Sequence, residues 1–155
     1  MGYIESNLLP EERVVYKANI HWFIFVPGAA SLISGFIFLS LDSESGTGLI
    51  YGSFLVFFGM FSLSKALIHK LSAELAITSK RAIAKIGFIR RHTVELNHSK
   101  VESFNVDQSI FGRMLGYGTV VINGTGGGKT SISNIDAPLD FRREAMQTID
   151  ASPSK

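Results

Sequence analysis

The chain contains no cysteine in its 155 residues. That excludes disulfide staples, thiolate nucleophiles and every zinc or iron–sulfur centre that depends on cysteine. Charge is sparse too, at 18% Asp, Glu, Lys and Arg, and the formal excess of +2 is too small to argue for nucleic acid as a partner. No Ser, His and Asp set carries a nucleophile-elbow or related local signature, so nothing points to nucleophilic catalysis. The expectation is a protein that is not an enzyme and holds no cofactor. The missing charge is distributed unevenly. A mean hydropathy of +0.24 comes largely from two long runs, and eight of the twelve phenylalanines lie between Phe23 and Phe61.

Residues 22–41, "WFIFVPGAASLISGFIFLSL", hold no charge over twenty positions. As a helix the run measures about 30 Å, the thickness of a bilayer's hydrocarbon core. A second run, residues 48–68, carries only Lys65, near its end, where a long side chain reaches the headgroups. Helices that are apolar on every face have no side to offer water, so a transmembrane hairpin is expected. Pro27, in the first third of the first span, is expected to bend it. The link at 42–47, "DSESGT", has two acids and no base; two basic residues (Arg13, Lys17) precede the first span and thirteen follow from Lys65 on. The positive-inside rule then places both termini in the cytoplasm and the link outside. Ser31 with Gly35 and Gly48 with Gly52, paired at four-residue spacing, are candidate packing positions, either between the two spans or between copies.

After His69 and Lys70 the pattern changes to short alternating segments. "ELAIT", "RAIAKIGF", "HTVEL", "ESFNVDQ" and the two arms around "NGTGGGKT" read as six strands. In the second, Ala82, Ala84, Ile86 and Phe88 are expected inward and Arg81 and Lys85 outward. "DAPLDFRREAMQTID" reads as a closing helix, with Asp136 as N-cap, Pro138 in the first turn, and Leu139, Met146 and Ile149 along one side. Six strands and a helix on about 80 residues imply a small open barrel. The expected layout is an N-terminal segment at 1–21, the hairpin at 22–68, the β domain at 71–150 and a frayed tail at 151–155.

Two patterns suggest chemistry and fail on geometry. "GTGGGKT" looks like a phosphate loop, yet the position five before Gly128 is Asn123 rather than glycine, and the residues after the loop read as a strand, not the helix such a site needs. A hairpin loop with exposed Lys129 and no bound nucleotide is expected. His92, Glu95 and His98 alternate across a strand about 20 Å long, with the histidines on one face and the glutamate on the other, so no metal site is expected.

A T-x-x-R turn (Thr78, Arg81), a G-x-x-x-R hairpin (Gly87, Arg91) and "Q-S-x-x-G-R-x-L-G-Y-G-T" from Gln108 to Thr119 stand in residues 74–122, and "LLPEERVVYKANIHWFIF" leads into the first span. With these motifs the chain resembles the bacterial pleckstrin-homology-like (PH-like) domains of membrane-anchored proteins. The resemblance implies a two-helix transmembrane hairpin followed by a small, mostly-β PH-like barrel with a C-terminal α-helix. It also implies a multi-pass protein of the bacterial inner (plasma) membrane without enzymatic activity, acting as a scaffold or adaptor. The expected partners are further copies in a homo-oligomer, other membrane proteins and membrane lipids, with no nucleic acid or nucleotide. In eukaryotic PH domains the first hairpin binds phosphoinositides, and the resemblance points to the same place here. Lys80, Arg81, Lys85, Arg90 and Arg91, five bases within twelve residues and no acid, are the candidate lipid surface, with an ordinary solvated face as the alternative.

Overall fold

A computed structural model of the protein describes residues 3–41 and 46–151. Most of the expected acidic link at 42–47, and the tail beyond 151, lie outside the described residues. The chain begins with helix α1 (Tyr3–Ser6) and strand β1 (Val14–Ala18), then runs through α2 (Val26–Leu41) and α3 (Thr47–Ser72). It continues as β2 (Glu74–Thr78), β3 (Arg81–Ile86), β4 (His92–Asn97), β5 (Val101–Asp107), α4 (Ile110–Leu115), β6 (Tyr117–Gly124), β7 (Lys129–Asp136) and α5 (Pro138–Asp150). Contacts divide it into two units: residues 22–70, and residues 1–21 together with 71–155.

The first unit is the apolar helix pair. Pro27 is the second residue of α2, where a fixed φ and a missing N–H suit a helix start; it opens the helix rather than bending its middle. α3 runs four residues past the expected end at 68. A Cβ on Gly35 would stand 2.9 Å from the Val56 nitrogen and 3.0 Å from the Gly52 carbonyl oxygen, and one on Gly52 would stand 3.0 Å from the Gly35 carbonyl oxygen. The two backbones therefore touch at this glycine pair. Ser31 Oγ donates to the Leu55 carbonyl at 2.9 Å, and Gly48 is buried. Ser31, Gly35 and Gly52 thus pack between the two helices. Gly28 against Leu63 and Gly59 against Leu32 extend the seam, each seven residues from Gly35 or Gly52, a period close to two helical turns. The outer faces stay open, with Phe36, Phe54 and Phe57 exposed. α3, and the continuous helical stretch Trp22–Leu41 in which a 3-10 turn (Trp22–Phe25) leads into α2, are long and apolar enough to cross a membrane, and only 17% and 11% of their most apolar windows are buried.

The second unit is the β module. All six expected strands form. A seventh, β1, comes from the segment expected to stand apart at 1–21; β1 pairs antiparallel with β2, with Ala18 opposite Leu75 and Lys17 opposite Ala76. The helix pair is therefore an insertion between the first two strands of the module, not a leader ahead of it. Two sheets result, ordered β1-β2-β3-β4 and β5-β6-β7. They do not close into the expected barrel, because β4 and β5 each end a sheet and the turn between them, His98–Lys100, carries the chain from one sheet to the other. The link is at the opposite edge. Beyond Ala18 the chain bridges Ile20 to Ile135, the His21 N–H donates to the Asn134 carbonyl at 2.7 Å and the Asp136 N–H to the Asn19 carbonyl at 2.8 Å.

α5 covers the core with Phe141 and Ala145, both fully buried and one helical turn apart. Phe141 meets Tyr16 of β1 and Phe104 of β5 edge to face, each with centroids 5.9 Å apart. Burying such a ring contributes about 1.5–3 kcal/mol. Two expectations are corrected here. Leu139 and Met146 are exposed rather than on the packed side. Asp136 stays in the β7 ladder opposite Tyr117, so the helix starts one residue later, from Ala137 in a left-handed conformation without a side-chain cap. Phe88 is exposed as well, because β3 ends at Ile86.

Close backbone contact at Gly35 gives a direct test. Gly35→Leu forces the helices apart and lowers the stability of the full chain in detergent by about 1–3 kcal/mol, while Phe36→Leu on the outer face leaves it nearly unchanged. Thermal unfolding followed by circular dichroism reads both.

Candidate functional site

The basic residues singled out in the sequence do not form one patch. Arg81 opens β3 and turns back on the N-terminal segment. Its Nε donates to Glu12 Oε1 at 2.9 Å and its Nη2 to Glu12 Oε2 at 3.0 Å and to the Asn7 carbonyl at 2.8 Å; Nη1 also meets Glu95. Glu12 is buried and accepts further hydrogen bonds from the Thr78 hydroxyl at 2.6 Å and the Leu9 N–H at 2.6 Å. Thr78 Oγ1 in turn accepts from the Arg81 N–H at 3.0 Å. The T-x-x-R turn is thus half of a clamp whose other half lies ahead of the helix pair. Burial pushes the Glu12 carboxyl up, but hydrogen bonds from Arg81, the Leu9 N–H and Thr78 outweigh it and hold the group below its ordinary value. The bond to Glu12 raises Arg81 in the same way.

Lys85 is engaged too. Its Nζ lies 2.9 Å from Glu74 Oε1 and 5.1 Å above the Tyr3 ring, and Glu74 accepts the Tyr3 and Ile4 N–H groups at 3.0 and 3.3 Å. This second clamp seats α1, whose Ile4 is fully buried with Ala76 and Ile83. Lys80, exposed, donates to the Pro10 carbonyl at 2.8 Å. Arg90 and Arg91 are exposed in the β3–β4 turn, whose Gly87 has a φ of +96° and no room for a Cβ against the Arg90 carbonyl. Lys80 and Arg90 therefore sit at opposite ends of β3, about 20 Å apart. Because β1 is the first strand, the connection inside the first hairpin is the helix pair; the basic turn belongs to the next hairpin but one.

Strand alternation sorts the module into two ends. The chain leaves after His21 and returns at Ser72. Glu74 pairs with Lys85 and Ile86 with His92, so the 87–91 turn projects past the start of β2 on this same exit end. His21 stacks on Tyr117 with centroids 5.3 Å apart, and Tyr117 follows α4 directly, which puts α4 at the exit end as well. The 78–81 clamp turn and the 125–128 loop lie at the other end.

Within Gln108–Thr119 several residues have clear local duties. Gln108 donates to the Tyr117 carbonyl at 3.0 Å, Ser109 Oγ caps α4 by accepting from the Gly112 N–H at 3.0 Å, and Gly116 ends α4 with a φ of +80°. Among the described residues, the side chains of Ile110, Phe111, Arg113 and Met114 show no such duty, and all four residues are exposed.

The glycine loop is a β6–β7 hairpin loop, with the Gly124 N–H donating to the Gly128 carbonyl at 2.8 Å. Lys129 is exposed and begins a strand. His92, Glu95 and His98 point to different partners: His92 is exposed, Glu95 meets Arg81, and the buried His98 Nε2 lies 3.1 Å from the Thr78 carbonyl. Burial holds His98 below its ordinary value, only partly offset by that hydrogen bond. Sequence reasoning missed Glu12, since nothing local marks an acid ahead of the spans as the partner of a base beyond them, and Glu74, whose meeting with Lys85 depends on the β2–β3 register.

The bacterial PH domain family matches residues 23–148. The chain belongs to that family. No curated protein and no solved structure matches it. The first strand of this bacterial PH domain protein, β1, lies just ahead of the matched stretch.

Arg81→Ala leaves Glu12 buried without its cation, a loss of about 3–5 kcal/mol at neutral pH. The pH trends of wild type and variant are opposite in sign. Glu12 is lowered in the folded wild type, so its contribution is complete above its ordinary 4.5 and is lost as pH falls through the lowered value. In Arg81→Ala, burial dominates and protonation at acid pH relieves part of the defect. Thermal unfolding of the two proteins across pH is expected to show the gap between them narrowing as pH falls, beginning above 4.5, where the variant's buried Glu12 takes up a proton, and continuing below it as wild type loses its contribution.

Proposed function

We propose that this protein is a membrane-anchored, non-catalytic scaffold: α2 and α3 cross the inner membrane of a bacterial cell, and the PH-like module lies on the cytoplasmic side, where it binds further copies of itself or partner membrane proteins. The family supports a scaffold or binding-module role. The observation that carries the anchor is the outward face of the helix pair. Its large apolar side chains point away from the Gly35–Gly52 seam, and lipid is the solvent that accepts them. Basic residues before α2 and after Lys65, set against an acidic link, support cytoplasmic termini.

A non-catalytic role is supported by how the buried ionisable groups are used. Glu12 with Arg81, Glu74 with Lys85, and His98 on the Thr78 carbonyl each hold one part of the fold to another. For self-association, β4 and β5 end their sheets and offer edges that a partner strand can extend. A second reading, recognition of anionic lipid headgroups, is favoured by exposed Arg90 and Arg91; Arg81 and Lys85 already face carboxylates.

The scaffold reading predicts a defined oligomer, or a stoichiometric membrane partner, when the full chain is solubilised from its own membrane and its mass is measured in detergent across a concentration series. A strict monomer without a co-purifying partner at every concentration would sink it.

A further inference from the structure

We propose that the exit end of the module is itself a lipid-docking surface: the 87–91 turn and α4 enter the interfacial layer of the same membrane that α2 and α3 cross. This rests on the membrane-anchored reading above. Among the described residues of the module, the six most exposed large apolar side chains are Leu71, Phe88, Ile89, Ile110, Phe111 and Met114, at 62% or more, with Ile89 at 93%. Every one belongs to the end from which the helices leave. The opposite end, formed by the 78–81 turn, the 125–128 loop and the 7–12 segment held by Arg81, presents mostly Ser, Lys, Thr and Gly to solvent, with Leu9 at 48% the large apolar side chain exposed there. Scattered exposed apolar residues are ordinary on a protein surface, but their concentration at one end marks a contact.

Connectivity and charge together identify the occupant as lipid. Trp22, the first residue of the apolar run, follows His21 directly, and only Ala73 separates the end of α3 from β2. Such short connections hold this end within reach of the headgroups. Each protrusion combines apolar tips with arginine: Arg90 and Arg91 follow Phe88 and Ile89, and Arg113 stands between Phe111 and Met114. That composition suits a surface where apolar side chains reach the acyl boundary and guanidinium groups meet phosphate. Neither 87–91 nor 110–115 contains an acid. A contact between copies made by these two segments alone would bring together surfaces that both carry only cations, whereas an anionic leaflet complements all three arginines.

The absence of native cysteine makes the test direct. Single-cysteine variants Ile89→Cys, Phe111→Cys and Gly126→Cys of the full chain are labelled with an environment-sensitive fluorophore and reconstituted into vesicles containing lipids brominated near the glycerol end of their acyl chains. Gly126, beyond a β6 strand about 25 Å long, is the distal control. Labels at 89 and 111 are expected to be quenched by the brominated lipid and the label at 126 to stay in water. Read from the label at 111, Arg90→Gln and Arg91→Gln are each expected to shift the docked population about fivefold in phosphatidylglycerol vesicles and little in phosphatidylcholine. Labels at 89 and 111 that stay in water, in a chain that resists carbonate extraction, overturn the docking surface and leave the anchor standing. Protection that grows only with protein-to-lipid ratio also overturns it, in favour of a contact between copies. Release of the whole chain by carbonate overturns docking and anchor together.

Discussion

β1 joins its sheet across an excursion of two helices, so no tight turn fixes its pairing with β2. Closing a long connection costs little more than closing a medium one, about 0.6 kcal/mol per doubling of length, and an antiparallel helix pair returns the chain to within about 10 Å of its departure. What remains is to hold the strand in register. Glu12 against Arg81 and Thr78 does this before β1, Tyr16 on Phe141 within it, and the Ile20–Ile135 bridge after it. Each contact ties residues ahead of the helices to residues beyond them. The module thereby grips the strand that leads into α2 against the strand that follows α3.

This grip explains why the basic residues separate into two groups. At the clamp end, Arg81 faces a buried carboxylate that would be very costly without it. Guanidinium suits the position because its fixed fork reaches both Glu12 oxygens, the Asn7 carbonyl and Glu95 from one side chain. Lys85 does the same for Glu74 with a single ammonium group. Arg90 and Arg91, at the other end of β3, lie in the β3–β4 turn and are exposed. Proximity in sequence made five bases look like one surface; a strand about 20 Å long separates Lys80 and Arg81 from Arg90 and Arg91, and Lys85, near the latter end, is taken up by Glu74.

The strands were legible because their alternation is local: "ELAIT" and "HTVEL" carry their own period, and the glycines of "NGTGGGKT" mark a hairpin wherever it sits. The seam at Gly35 and Gly52 was legible for a similar reason, since small residues at helical spacing announce close approach. β1 was not. "VVYKA" is short, stands next to an apolar run, and becomes a strand only through a partner on the far side of two helices. The barrel expectation failed on the same kind of information, because closure depends on β4 meeting β5 and not on any property of either strand. Asp136 has the chemistry of an N-cap but is already held in a ladder, and tertiary pairing prevailed over a local preference. Phe88 continues the alternation of Ala82, Ala84 and Ile86 in the sequence, yet it is exposed because β3 ends at Ile86.

The Gln108–Thr119 segment separates what the fold requires from what it leaves open. Gln108 bonds the Tyr117 carbonyl, Ser109 caps the helix, and Gly116 supplies a left-handed exit; substituting any of them strains the module itself. Ile110, Phe111, Arg113 and Met114 answer to no such demand, since they point out from a helix of only six residues. A short surface helix that served only to connect β5 to β6 would be as well made from polar side chains, which favour water over the exposure of a phenylalanine and a methionine. The cost of leaving these side chains in water is offset only if something covers them. Just past α4, Tyr117 and Gly118 pair with Asp136 and Ile135, the stretch of β7 to which the chain is bonded as it leaves for α2. These side chains therefore belong to the end of the module from which the chain departs for α2.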